Sequence, residues 1–168
     1  MTTVADVMTR GVRSMNPSDP VVLAAQAMDE LNVGVIPVCE GEKLVGMVTD
    51  RDIVVRGVAQ EADPKSLKLA DVMSTNVRCA MEDEDVDDVL SEMADSQIRR
   101  MPVVDEQQRL VGIISLGDIA AKHPDDEGDV GMSLGDISSP AEPDRSSQSK
   151  ASGEAGGGTA SGKSRRKT

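Results

Sequence analysis

One feature narrows the folds open to this chain more than any other: most of it is written twice. Residues 4–56 align with residues 69–122. Asp6-Val7-Met8 returns as Asp71-Val72-Met73, and Pro37-Val38 as Pro102-Val103, each 65 residues on. Gly46 returns as Gly112, 66 residues on, so one residue is inserted where Gly41-Glu42-Lys43 stands against Glu106 to Arg109. Two copies this alike imply two similar substructures. The 168 residues suffice for one ordinary domain or two small ones.

Each copy reads as strand, helix, strand, strand, helix. "GVRSM" and "NVRCAM" are short extended segments. "VVLAAQAMDELN" and "VDDVLSEMADSQ" carry apolar residues at helical spacing. "GVIPVCE" and "RRMPVVD" are β-rich but contain Pro, which predicts edge or bulged strands. "KLVGMVT" and "RLVGIIS" read as buried strands, and short polar turns join the strand pairs. "DRDIVVRG" and "LGDIAAKH" are short helices facing back onto the sheet. "SLKLADVM" predicts a further short helix leading into copy two. The acidic run 82–88 lacks the Gly and the terminal Glu of a calcium loop; it opens the second long helix, where the dipole favours negative charge. The expected class is α+β: repeat one over 1–61 and repeat two over 62–123. Residues 124–168 are rich in Gly, Ser, Pro and charge and are expected to form a disordered tail.

Composition excludes several functions. There is no Phe, Tyr or Trp, so the core is aliphatic and bases cannot be stacked on aromatic rings. A net charge of −12 argues against a nucleic-acid partner. No apolar run reaches the roughly 18 residues of a membrane span. The N-terminus lacks a basic start before an apolar stretch, so no signal peptide is expected and the cytoplasm is the expected location. Cys39 and Cys79 sit in no CxxC or CxxH pair and read as small buried thiols, with a redox or metal role the alternative. His123 reads as a solvated helix end.

The chemistry-bearing element is "GMVTDRD" (46–52) and its echo "GIISLGD" (112–118). Two readings stand. Structurally, Thr49 and Ser115 cap the following helix, with Asp52 and Asp118 in its first turn. Functionally, a helix N-terminus at the carboxyl end of a strand offers free amides to an anion, and a carboxylate beside it can hold a vicinal diol. Hydroxyl, amides and carboxylate together suit a ribose-phosphate.

With its "DVM" starts, apolar-Pro-Val strands and doubled Gly-x-x-[Thr/Ser]-x-x-Asp ends, the chain resembles tandem cystathionine-β-synthase (CBS) domains, the pair often called a Bateman module. The resemblance covers residues 4–122. It implies two repeats packed with pseudo-two-fold symmetry and two clefts between them. It also implies an adenosine ligand (AMP, ADP, ATP or S-adenosylmethionine), a homodimer, an effector protein that the sequence does not identify, and no catalysis. Carried over residue by residue, cleft one would combine Thr49 and Asp52 with Val77, Arg78, Arg99, Arg100 and Pro102. Cleft two would combine Ser115 and Asp118 with Val12, Arg13, Val35, Ile36 and Pro37. Arg99 and Arg100 stand where copy one has Gly34 and Val35. Cleft one is therefore expected to take a phosphorylated adenosine, and cleft two a neutral nucleoside, a weaker ligand or none. A solvated strand face is the other reading of these arginines. Two other functions remain open: a nucleotide-independent interaction module, and a thiol- or metal-responsive protein.

Overall fold

The computed structural model describes residues 1–122; the predicted tail (124–168) and His123 lie outside the described residues. Copy one contains helix α1 (Val4–Val7), helix α2 (Val21–Leu31), strands β1 (Val35–Glu40) and β2 (Lys43–Thr49), helix α3 (Asp50–Arg56) and a 3₁₀ turn at Val58–Gln60. Copy two contains α4 (Leu69–Val72), β3 (Ala80–Met81), α5 (Val86–Ser96), β4 (Arg100–Val104), β5 (Leu110–Ser115) and α6 (Leu116–Lys122).

The long helices follow from their apolar stripes. Val21, Ala24, Ala27 and Met28 are buried on α2; Val86, Val89, Leu90 and Met93 are buried on α5. Both end on a left-handed residue at the same repeat position, Asn32 and Gln97. The hairpins β1–β2 and β4–β5 are antiparallel, and each has a bulge one residue after the Pro-Val step.

Two features of the strands go beyond the expectation. The Pro-containing strands are bulged, as predicted, and β1 is an edge of its two-stranded sheet, but β4 lies in the middle of the second sheet, which runs β3-β4-β5. Pro102 is tolerated there because the parallel pairing with β3 begins only at Val103. The predicted strand at 11–15 shrinks to one parallel bridge, Met15 with Val38. An Asx turn at Asn16, whose side-chain oxygen accepts the Ser18 amide at 3.0 Å, takes the chain off the sheet at the next residue.

The inserted residue marks a different hairpin turn. Copy one turns on Gly41 at φ 62°. Copy two places Gln108 at φ 63° and staples the turn with the buried Asp105 carboxylate. That carboxylate accepts the amides of Gln107 and Arg109 at 2.9 Å each and Arg109 Nε at 2.7 Å.

The two cores exchange their leading segments. Val4, Val7 and Met8 are buried with the apolar residues of copy two, while Leu69 and Val72 are buried with those of copy one. A four-residue helix has no stability alone. Fully burying each such side chain contributes about 1.5–3 kcal/mol, which offsets the cost of ordering the turn. The repeated "DVM" is thereby explained. Asp6 and Asp71 accept the Thr3 and Lys68 amides at 3.0 and 3.1 Å, closing the helix start, and the Val inserts into the opposite core.

Bridges between segments obey a pseudo-two-fold axis. Thr9 pairs with Ile113, and Ser74 with Met47; Thr3 pairs with Asp85, and Lys68 with Pro20; Lys43 pairs with its own counterpart, Arg109. The basic residue ending each short helix completes the exchange: Arg56 donates to the carbonyls of Val72 and Met73 at 3.0 and 3.2 Å, and Lys122 to that of Val7 at 2.8 Å.

The doubled glycine follows from the same docking. A Cβ on Gly112 would lie 2.7 Å from the Thr9 carbonyl oxygen, and one on Gly46 would lie 2.8 Å from that of Ser74. Each leading segment thus runs against the second hairpin strand of the other copy and forms one wall of a cavity.

Candidate functional site

The strand-to-helix junctions are capping boxes in both copies. Asp52 Oδ2 accepts the Thr49 amide at 3.0 Å, and Thr49 Oγ accepts the Asp52 amide at 3.1 Å. Ser115 and Asp118 repeat this at 2.9 and 3.1 Å. The predicted cap is therefore present, but of the amides expected to be free for an anion all three on α3 and those of Leu116 and Asp118 on α6 are engaged. On α3 the Asp50 amide donates to the Gly34 carbonyl at 3.0 Å, the Arg51 amide to Asp50 Oδ1 at 2.8 Å, and the Asp52 amide to the cap. On α6 the Leu116 amide donates to the Arg99 carbonyl at 3.1 Å. Charge for a phosphate must come from side chains instead.

Two cavities flank the pseudo-two-fold axis. The first, of about 450 Å³, is lined by Thr49 and Asp52 from copy one and by Val77, Arg78, Arg100 and Pro102 from copy two. The second, of about 280 Å³, is lined by Ser115 and Asp118 from copy two and by Val12, Arg13, Val35 and Ile36 from copy one. Drug-sized sites span about 300–1,000 Å³, which the first cavity meets and the second approaches.

Two residues assigned from the sequence stand outside these linings. Arg99 is not part of the cleft-one wall: it precedes β4, and Ile98, Arg100 and Pro102 supply the lining there. Pro37 is not part of the cleft-two wall; it is buried, and its carbonyl accepts the Met15 amide at 3.0 Å. A further correction concerns Arg100. Assigned to cleft one from the sequence, it lines both cavities, as does its repeat counterpart Val35.

The structure also brings in residues that the sequence reasoning missed. Thr9 and Ser74 line cleft two and cleft one, each placed by its bridge to the opposite copy. Their signal was present in the sequence: a hydroxyl residue follows "DVM" in both copies. Ile98 in cleft one, and Leu31, Val33 and Ile113 in cleft two, add apolar wall.

The two carboxylates differ in what they have left to offer. In cleft two, Thr9 Oγ donates to Asp118 Oδ1 at 3.1 Å and Ser115 Oγ donates to Asp118 Oδ2 at 2.7 Å, so both oxygens are engaged. In cleft one, among the described residues, no donor reaches Asp52 Oδ1, and the Thr49 hydroxyl proton has no acceptor. The arginines of the first extended segments are already paired: Arg13 with Glu30 at 3.3 Å and Arg78 with Glu92 at 3.1 Å. Among the described residues, Arg100 forms no salt bridge.

The thiols are chemically quiet. Burial pushes Cys39 up, with Ser14 opposing through a hydrogen bond; burial and then the Glu92 charge push Cys79 up. Among the described residues, no three His, Cys, Asp or Glu side chains converge to hold a metal, and no helix is long and apolar enough to cross a membrane.

Comparison with known proteins agrees with this architecture. The family model described as the CBS domain matches residues 4–57 and 69–124. The uncharacterized protein YlbB of Bacillus subtilis is 43% identical over 140 residues, 82% of this chain and 93% of that protein. Hypoxic response protein 1 of Mycobacterium tuberculosis is 36% identical over 126 residues, 74% of this chain and 87% of that protein. A crystal structure of Hypoxic Response Protein I with two coordinated zinc ions matches with TM-score 0.66 and 36% identity, covering 72% of this chain and 98% of that one. The CBS domain pair of protein MJ0100, in complex with 5'-methylthioadenosine and S-adenosyl-L-methionine, matches with TM-score 0.62 and 31% identity, covering 71% of this chain and 98% of that one.

Proposed function

The chain belongs to the CBS-domain family and carries the domain twice, and from that premise we propose that it is a regulatory binder of adenosine nucleotides. One observation carries the reading. The same constellation occurs twice: a hydroxyl and a carboxylate at a strand end, facing apolar strand residues and an arginine of the other copy across a cavity. Solved relatives of the same fold hold adenosine compounds, as the MJ0100 domain pair does.

In cleft one, Asp52 Oδ1 accepts from the ribose diol, and the Thr49 hydroxyl donates to ribose or phosphate. Val77, Ile98 and Pro102 enclose the adenine in place of aromatic rings, and Arg100 meets the phosphate. Cleft two offers the same elements with Asp118 already engaged by Thr9 and Ser115, so it binds more weakly. AMP, ADP and ATP are the ligand candidates. The role is signalling through shape or assembly, without catalysis.

Leu23, Val54, Val55 and Val58 are 45–65% exposed on and after the copy-one helices, an apolar surface suited to a homodimer in the cytoplasm. The effector is another protein; a net charge of −12 disfavours nucleic acid, and a membrane partner is not part of the proposal. A nucleotide-independent interaction module is the competing function. The thiol- or metal-responsive reading has less support, because both thiols are held protonated.

Titration calorimetry of the full chain with AMP, ADP, ATP and adenosine tests the proposal. Binding that Asp52→Ala weakens at least tenfold, and Asp118→Ala less, supports it. Absence of heat or thermal shift with every ligand would leave the interaction module as the function.

A further inference from the structure

Two residues that are one repeat apart line both cavities. Val35 opens β1 and Arg100 opens β4, 65 positions later. Symmetry therefore places these positions together at the pseudo-two-fold axis, but the sequence makes them unlike. One is a short aliphatic side chain and the other a guanidinium.

The remaining cations of the clefts are already committed, Arg13 to Glu30 and Arg78 to Glu92. The three helix-start amides of α3 are committed as well, to the cap, to Asp50 and to the Gly34 carbonyl, as are those of Leu116 and Asp118 on α6. Arg100 is thus the one guanidinium that borders both cavities and, among the described residues, the one cleft arginine without a carboxylate partner. A guanidinium makes its paired hydrogen bonds to one phosphate at a time. A second anion arriving in the adjacent cavity meets a cation already neutralised and a like charge nearby.

We propose that Arg100 is a single phosphate receptor shared by the two clefts, so that a phosphorylated adenosine in one cleft weakens binding of a second in the other. This rests on the adenosine-binding function given above. Cleft one fills first, since its carboxylate has a free oxygen and its cavity is the larger. The protein then holds one phosphorylated ligand per chain and leaves cleft two to a neutral nucleoside.

Calorimetry of the full chain with AMP and, separately, with adenosine decides the matter. The readout is the ratio of the two stepwise dissociation constants. That ratio is expected to be at least tenfold larger for AMP than for adenosine, which has no phosphate to compete for Arg100. Val35→Arg, which adds a second guanidinium at the counterpart position, should shrink the AMP ratio toward the adenosine ratio. Arg100→Gln should make the two ligands alike, and it serves in the same way if Val35→Arg fails to fold. Equal ratios for AMP and adenosine in the wild-type protein would overturn the shared receptor while leaving adenosine binding intact. Absence of binding by both ligands would overturn the function and the shared receptor together.

Discussion

Gly112→Ala tests the docking on which both clefts depend. The new Cβ would lie 2.7 Å from the Thr9 carbonyl oxygen and 2.8 Å from Met8 Sδ, whereas ordinary contact begins at 3.4 Å. Thr9 must therefore retreat by about 0.7 Å, the difference between 3.4 and 2.7 Å. It is held by two hydrogen bonds to Ile113, of 2.8 and 2.9 Å, and a retreat of that size stretches them to the limit of a hydrogen bond. Each lost bond costs about 1 kcal/mol, and residual overpacking adds about 1–3 kcal/mol. Reduced entropy of the unfolded chain returns about 0.4–1 kcal/mol. The net loss is about 2–4.6 kcal/mol, a fall in melting temperature of roughly 6–18 °C for a domain of this size. Urea unfolding with calorimetric confirmation measures it. Gly11→Ala is the control: nothing lies within 4 Å of its Cβ, and only its φ of 69° opposes the change, so about 1 kcal/mol is expected. A Gly112→Ala protein within 0.5 kcal/mol of wild type would refute the close approach and the reason given for the doubled glycine.

Arg56→Ala should cost about 1 kcal/mol in urea unfolding, because two carbonyls at the end of α4 lose their donor. Asp105 supplies a pH dependence. Hydrogen bonds from the Arg109 side chain and backbone hold its carboxyl below the ordinary value of 3.8, so its stabilisation is present above that value. It is lost as pH falls through the lower folded value. Urea midpoints from pH 7 to pH 3 should show Asp105→Asn weaker than wild type at neutral pH, with the two converging under acid; a constant gap would contradict this. Both thiols, held protonated by burial, should react with a disulfide reagent at pH 8 at least roughly tenfold more slowly in the native protein than in urea. Equal rates would mean that burial does not protect them.

Much of this molecule could be read in advance. Apolar spacing placed α2 and α5, and the repeat placed their counterparts, because side-chain periodicity is a local property. The capping boxes were legible for the same reason, since Thr49 to Asp52 and Ser115 to Asp118 bond within one turn. The first strand of copy one was overdrawn, because whether "GVRSM" pairs depends on where the chain goes at Asn16, and that is not a propensity. Edge position held for β1 and failed for β4: whether a Pro-bearing strand is outermost is decided by a third segment arriving beside it.

For the site, the sequence by itself determined the parts. The repeat supplied two hydroxyl–carboxylate pairs, and the difference between Val35 and Arg100 at equivalent positions made the copies unequal. Only the tertiary structure decided how the parts combine. Exchange of α1 and α4 between the cores brings Thr9 against Asp118 and puts Ser74 in cleft one. Arg99, one residue before β4, stays out of the cavity that Arg100 lines. The pseudo-two-fold axis sets Arg100 between both clefts. The bridge that places Ser74 joins it to Met47, 27 positions away, and Thr9 meets Asp118 across 109; such contacts are set by which apolar surfaces bury together, and no local pattern in the chain encodes them.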